Sequence, residues 1–459
     1  MTEFAVPTPL EWREAAIKAL KERPLESLIH LDADHLATKP LYGAANGGEP
    51  VFAPRPSDSE GRAWDVRALN EGEDADALNR AILTDLENGA ASVLIAGPAA
   101  SDAAKLARAL DGVALELAPV ALDAGFEGVK AAEALSAAAK GSPRAKLAFH
   151  LDPISAYAEA GGAPGGFAAI MGETAKAAAT YAATYPEATL FMASGRVAHE
   201  AGGSIAQELA FAASSAVAYV KAAVEAGLSV EAALKGVVLG VAVDQTYFDS
   251  LAKIRALRLI WASVSKAFGA EVPAIIEARS SRRMLSARDP WPNMLRLTAA
   301  GFAGAVGGAD AVVLDGFTRA AGLPDDFAKR QARNTQLILM EESNLGRVDD
   351  PASGSWYLDA RTRGLAEAAW AEFQVYEAEG GVIACLQGGV IQPRIARARD
   401  MAEKAFKDGA AQIVGVTKFV DPDVRPAPVT SAPAAPAAVG TFEALAPVRF
   451  AAAFEEAAQ

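Results

Sequence analysis

The sequence predicts an α/β chain built on a (β/α)8 TIM barrel, and three observations point there. From about Ala91 onward, short apolar runs alternate with longer amphipathic stretches. Those runs are almost continuously apolar, as strands covered on both faces of a parallel sheet are. Eight such units can be found, the number that closes a barrel of this kind. An open doubly wound sheet is the competing architecture, but no G-x-G-x-x-G follows the first run to support nucleotide binding.

The candidate strands are Ser92–Ala96, Val113–Ala118, Lys146–Leu151, Thr189–Ala193, Val237–Val243, Val272–Glu277 and Ala309–Asp315, with Trp356–Leu358 as the eighth. Between them, the stretch 200–226 places Ile205, Leu209, Ala212, Ala216, Val220 and Ala223 on one helical face. Asp289-Pro290 fits an N-cap and first helical position, and Gly307-Gly308 fits the end of that helix. The stretch Arg333 to Asp359 opens on a helix whose run Leu337–Met340 is apolar enough to be buried on most sides, with Gly346 as its stop. Asp350-Pro351 and Ser353-Gly354-Ser355 make a polar turn. A further helix starts near Arg361 and runs through Trp370 and Phe373.

Both ends differ from this repeating middle. Thr8-Pro9-Leu10-Glu11 is a capping box with Pro at the first helical position, and Trp12, Ala16 and Leu20 follow at i, i+4 and i+8. That helix, reaching about Glu22, packs its stripe either on this chain's core or on a partner. Residues 38–63 are Gly/Pro-rich and read as extended. After Lys418, Asp421–Val439 is a Pro/Ala-rich linker, and Phe442–Phe454 is a short apolar tail that docks on the barrel or on another chain. The expected organisation is an N-terminal helical arm (1–40), a barrel (41–418) and a linker with docking tail (419–459).

At 459 residues and 51% apolar content the chain can bury a sizeable core. A net charge of −14 argues against a nucleic-acid partner. The single cysteine, Cys385, excludes an intramolecular disulfide and suits a reducing compartment, hence an expected cytoplasmic location. The N-terminus has no apolar signal-peptide core. No uncharged apolar run reaches the ~20 residues of a membrane span.

In a barrel, chemistry sits at the C-terminal ends of the strands. There the sequence offers Ser194 to Glu200, then Glu277, Arg279, Arg282 and Arg283, then His150 and Asp152. His199-Glu200 reads as a general base with an orienting carboxylate, or as a structural histidine beside a first-turn Glu. Arg279, Arg282 and Arg283 read as a clamp for phosphate or carboxylate, or as an ion-paired loop. His150 with Asp152 reads as a structural pair. The four histidines, His30, His35, His150 and His199, have no metal-ligand spacing, and no P-loop, G-x-S-x-G or Cys/His arrangement occurs. The residues alone make the fold readable and leave a catalytic constellation unread.

Several blocks, in order, resemble methylmalonyl-CoA mutases: RAWDVR (62–67), SGRVAHEAGG (194–203), AKIRALRLIWA (252–262), DPWPNMLR (289–296), FAGAVGGADAV (302–312) and RNTQ…EES…DPASGSWY from Arg333. The resemblance spans about 40–417. It implies a barrel threaded by the CoA chain, and radical isomerisation of methylmalonyl-CoA and succinyl-CoA on adenosylcobalamin, where the cofactor does the hard chemistry. It also marks departures. Arg196-Val197 stand where the catalytic family members carry Tyr-His, and Leu69 stands at a second active-site tyrosine. EARSSRRMLSARDP lacks the family's His and Gln, and no cobalamin-domain motif is present. The departures resemble the small, non-catalytic chain of heterodimeric bacterial members. No catalytic residue and no metal site is then expected here, and adenosylcobalamin would belong to a large catalytic partner chain. His199, Arg279, Arg282 and Arg283 remain as substrate-binding candidates. One alternative is the catalytic barrel of a split acyl-CoA mutase with its cobalamin domain on another chain. Another is a stand-alone CoA-ester-binding scaffold.

Overall fold

The computed structural model describes residues 7–56, 62–142, 144–430 and 440–456. Parts of the two segments expected to be extended, 57–61 and 431–439, lie outside the described residues. Strands β1 (His30–Leu31) and β2 (Ala37–Thr38) pair antiparallel as a hairpin on the arm. Eight parallel strands then close a barrel in chain order: β3 (Asp65–Glu71), β4 (Ser92–Ala96), β5 (Val120–Asp123), β6 (Leu147–Leu151), β7 (Thr189–Ser194), β8 (Val237–Val243), β9 (Ile276–Ser280) and β10 (Ala311–Val313). Strand β10 returns to β3 through Ala311–Asp65 and Val312–Val66. Outward residues such as Val93, Leu122, Phe149, Phe191 and Ile276 are buried beneath the surrounding helices, and this shell is the main core.

The barrel is the expected (β/α)8, but two of its strands lie elsewhere than the sequence predicts. Val113–Ala118 is a turn region in which Leu117 is 80% exposed, and β5 begins only after Pro119. Proline has no N–H to give a ladder, so regular pairing starts beyond it. Trp356–Leu358 is not a strand but the first turn of the helix Trp356–Ala378, capped by the Ser355 side chain. The eighth strand is β3, hidden because DVRALNE is too polar to read as a barrel strand. Its inward positions carry Asp65, Arg67 and Glu71, and its outward Asn70 bonds Asp85 at 3.1 Å.

Smaller differences have equally local causes. Strand β9 lies later than Val272–Glu277, because Arg279 and Ser280 continue it with polar side chains. The helix expected from Asp289-Pro290 begins at Asn293, just after Pro292. The run Leu337–Met340 is not buried on most sides. It falls in a π-helical turn, Ile338–Glu342, with Leu339 buried and Ile338 48% exposed. That wider turn re-phases the face.

The polar turn before Trp356 is pinned from below. Arg255 is fully buried on the helix Tyr247–Ala267, and its guanidinium lies 2.9 Å from both Asp350 and Asp359. The arm is tied down near its hairpin, where Arg361 holds Asp249 at 2.8 Å and also reaches Asp32. Its first helix, Pro9–Leu20, has the expected capping box but buries only Leu20, leaving Leu10 and Ile17 exposed. The tail, by contrast, lies on this chain's own barrel. Phe442 and Leu445 donate to the carbonyls of Gly161 and Ala158, Val448 to Glu200, and Phe450 to Arg283. Glu455 accepts from Ser286 Oγ and from the N–H groups of Ala287 and Arg288.

Candidate functional site

The C-terminal mouth of the barrel and the lumen beneath it gather most of the polar residues singled out above. Leu69, Leu94, Ala121, Ala148 and Val313 pack together across the strands as one apolar layer. Such a layer is what makes a barrel of this size a packed core rather than a pore.

Around that layer runs a ladder of ion pairs. Arg67 donates to Glu277 at 2.6 Å and to Asp65 at 2.7 Å. Ser92 Oγ bonds Asp65 and accepts from Arg67. Arg279 donates to the other oxygen of Glu277 at 2.5 Å and to Asp123 at 2.5 Å. Burial alone would push the Glu277 carboxyl up, but Arg279, His150 and Arg67 together hold it well below the usual carboxylate range. Burial lowers the Arg279 guanidinium, yet Glu277 and Asp123 outweigh it and hold it above its ordinary value. Both groups are therefore charged and mutually satisfied.

His150 lies in the same lumen, 4% exposed, with a left-handed backbone (φ 46°) and no hydrogen-bond partner for either ring nitrogen. Burial lowers it to about 4. Asp152, two residues on, does not face it as a pair. It caps the helix Pro153–Ala160 and accepts from Tyr219 Oη at 2.7 Å, and burial raises it to about 6.

His199 is buried beneath the rim. Its Nε2 is 2.8 Å from Ser281 Oγ, and its Nδ1 lies 3.2 Å from Glu208. Glu208, fully buried, also takes the Lys253 ammonium at 2.6 Å and the Ala242 N–H. Lys253 and His199 overcome the burial that would raise Glu208, holding it at about 2. The adjacent Glu200 turns elsewhere and accepts from the backbone N–H groups of Arg282 and Arg283, both at 3.0 Å. His199 and Glu200 thus form no base–carboxylate dyad, because neighbours on one helical turn point apart.

The three candidate arginines separate as well. Arg279 is inside the lumen. Arg283 donates to the carbonyls of His199 and Gly203 and stacks over Phe450 of the tail. Arg282 alone stands at the rim, its side chain 41% exposed and its Nε 3.1 Å from Asp315. Of the three family positions, Leu69 belongs to the apolar layer, Val197 packs in the outer core, and Arg196 opens the short helix Arg196–Glu200 at the mouth. The Arg67–Glu277 pairing was not foreseen. Alternating charge within Asp65–Glu71 was its only trace in the sequence.

Among the described residues, no group of three or more His, Cys, Asp or Glu is placed to hold a metal ion. No helix among them is long and apolar enough to cross a membrane. His30 and His35 are exposed on the arm hairpin, and the other two histidines are enclosed.

A family model described as methylmalonyl-CoA mutase matches residues 84–453. The chain is 41% identical over 429 residues to the methylmalonyl-CoA mutase small subunit of Streptomyces virginiae, covering 90% of this chain and 69% of that protein. It is 37% identical over 434 residues to the probable methylmalonyl-CoA mutase small subunit of Mycobacterium tuberculosis, covering 90% and 68%. Against the methylmalonyl-CoA mutase of Escherichia coli the similarity shrinks to 224 residues at 33% identity, 48% of this chain and 31% of that one.

Proposed function

The chain belongs to the methylmalonyl-CoA mutase family, and from that premise we propose that it is the small, non-catalytic subunit of a heterodimeric adenosylcobalamin-dependent methylmalonyl-CoA mutase. A large partner chain would interconvert methylmalonyl-CoA and succinyl-CoA. This chain would stabilise or regulate that partner.

The observation that carries the reading is the apolar layer in the lumen. The resemblance implies a barrel threaded by the CoA chain, whereas here Leu69 packs with Leu94, Ala121, Ala148 and Val313 as an apolar layer in the lumen. The ion ladder through Arg67, Glu277, Arg279 and Asp123 adds to the obstruction. A thioester entering this lumen would have to break buried ion pairs. Each break leaves an uncompensated charge worth roughly 3–5 kcal/mol.

Among the described residues, the two histidines of the barrel do not fit adenosylcobalamin. Its ligation by histidine needs a free imidazole nitrogen facing a roomy surface. His150 is enclosed in the lumen, and His199 lies between Ser281 and Glu208. The tail, moreover, runs along the rim over the loops that follow β6, β7 and β9. No step is therefore assigned to this chain through the cofactor. The partner would bind it.

The arm supplies the partner contact in this reading. Leu10 and Ile17 on its first helix are exposed, as is Leu31 on the hairpin. An obligate interface of this type buries roughly 2,000 Å² or more. The test is to purify the tagged chain from its own cells, identify what accompanies it, and assay the chain alone and with that partner. A companion with an intact mutase barrel and cobalamin site, and turnover only in the complex, is expected. Turnover by the isolated chain would sink the proposal.

A further inference from the structure

The arginines of the barrel mouth are not alike. Arg67, Arg279, Arg282 and Arg319 each have a carboxylate partner, in Asp65 and Glu277, Asp123, Asp315 and Glu71 respectively. Arg283 is held by two carbonyls and lies 3.9 Å from the Asp244 carboxylate. Arg196 has neither. Among the described residues its guanidinium makes no ion pair and no hydrogen bond, and its Nε is buried without a partner. Desolvation of a guanidinium N–H is costly unless an acceptor is supplied, so the buried Nε of this half-buried Arg is an unmet demand for one.

The surroundings define what would meet that demand. Burial lowers the Arg196 guanidinium, and the nearby charges of Arg279 and Arg282 lower it further against the opposing charges of Glu200 and Asp123. Arg282 is bonded to Asp315 through Nε, its side chain is 41% exposed, and among the described residues no hydrogen bond engages its two terminal nitrogens. The acidic neighbours do not serve. Glu200 is spent on two backbone N–H groups, and Asp123 is taken by Arg279. Glu159 lies near enough to feel Arg196 but is not paired with it, and its carboxyl is held above its ordinary value, chiefly by burial.

We infer that the barrel mouth binds a small anion, a phosphate or a short carboxylate, on Arg196 with Arg282 as the second donor. The apolar layer of Leu69, Leu94, Ala121, Ala148 and Val313 beneath the mouth favours a compact anion over an acyl-CoA running down the axis. It sits where barrel chemistry ordinarily sits, at strand C-terminal ends. The reading is independent of whether a large partner exists.

The full-length chain is titrated calorimetrically with inorganic phosphate, with malonate and with coenzyme A. Saturable binding of phosphate or malonate is expected, and the tighter of the two names the ligand class. Arg196→Gln should weaken that binding by roughly ten-fold or more, the effect of losing a charge-assisted hydrogen bond. Should that variant fail to fold, Arg282→Gln serves, with a weakening in the same direction. No saturable binding of either anion up to about 10 mM overturns the inference. So does unchanged affinity in the folded variants. Coenzyme A binding more tightly than both small anions, undiminished by Arg196→Gln, would overturn it as well.

Discussion

Arg67 on β3 reaches across the barrel seam to Glu277 on β9, 2.6 Å apart, with side chains only 10% and 1% exposed. Strand β10 lies between them, so this pair helps close a barrel whose last ladder, β10 to β3, has two register pairs. Glu277→Gln would leave Arg67 and Arg279 each with one carboxylate instead of two. A loss of roughly 3–5 kcal/mol in urea unfolding is expected, as for breaking a buried pair from one side. A loss below about 1 kcal/mol would show that the ladder is decorative.

His150 predicts a pH dependence. Burial holds it at about 4 against 6.5 in the unfolded chain, in a field set by Glu277, Arg67, Arg279 and Asp123. The unfolded chain thus binds this proton first as pH falls. The histidine's contribution to stability is complete above pH 6.5 and is lost progressively down to about pH 4, by about 3 kcal/mol. Asp152, raised to about 6, works in the opposite sense and costs stability as pH rises from 3.8 to 6. His150→Asn isolates the first effect and suits the left-handed backbone. The stability gap between wild type and variant should shrink from pH 6.5 to 4. A constant gap would contradict the assignment.

Arg255 should be intolerant of substitution. It is fully buried and answers both Asp350 and Asp359. Arg255→Met would strand two carboxylates, for an expected loss of roughly 3–5 kcal/mol. It should also loosen the turn before Trp356, read out as faster amide exchange there.

The two ends of the chain should behave differently. Deleting residues 1–24 removes a helix that buries only Leu20, so unfolding should shift by less than about 1 kcal/mol. Affinity for a large partner, in contrast, should fall roughly ten-fold or more. Glu455→Ala in the tail should instead cost about 1–3 kcal/mol, because it orphans Ser286, Ala287 and Arg288 donors. Unchanged partner affinity after the arm deletion would argue against the arm as a docking element.

The barrel was legible because most of its strands and helices carry apolar signals that survive in one dimension. Strand β8 and the face of the helix Ile205–Glu225 are examples, nearly all of their apolar residues being fully enclosed. The capping box at Thr8 was legible too, since all its bonds are local. Strand β3 was not, because its polar residues make sense only beside Glu277, more than two hundred positions away. The candidate site divides along the same line. That His199, Arg279, Arg282 and Arg283 lie near the C-terminal ends of strands follows from the strand pattern. Which of them is satisfied, and by which carboxylate, depends on distances between segments remote in sequence. The sequence thus sets the barrel, the capped arm and the family. The apolar layer in the lumen, the tail's seat on its own barrel and the lone Arg196 arise only on folding. Periodicity and caps are local properties of a chain, whereas burial and charge pairing belong to the neighbours that folding supplies.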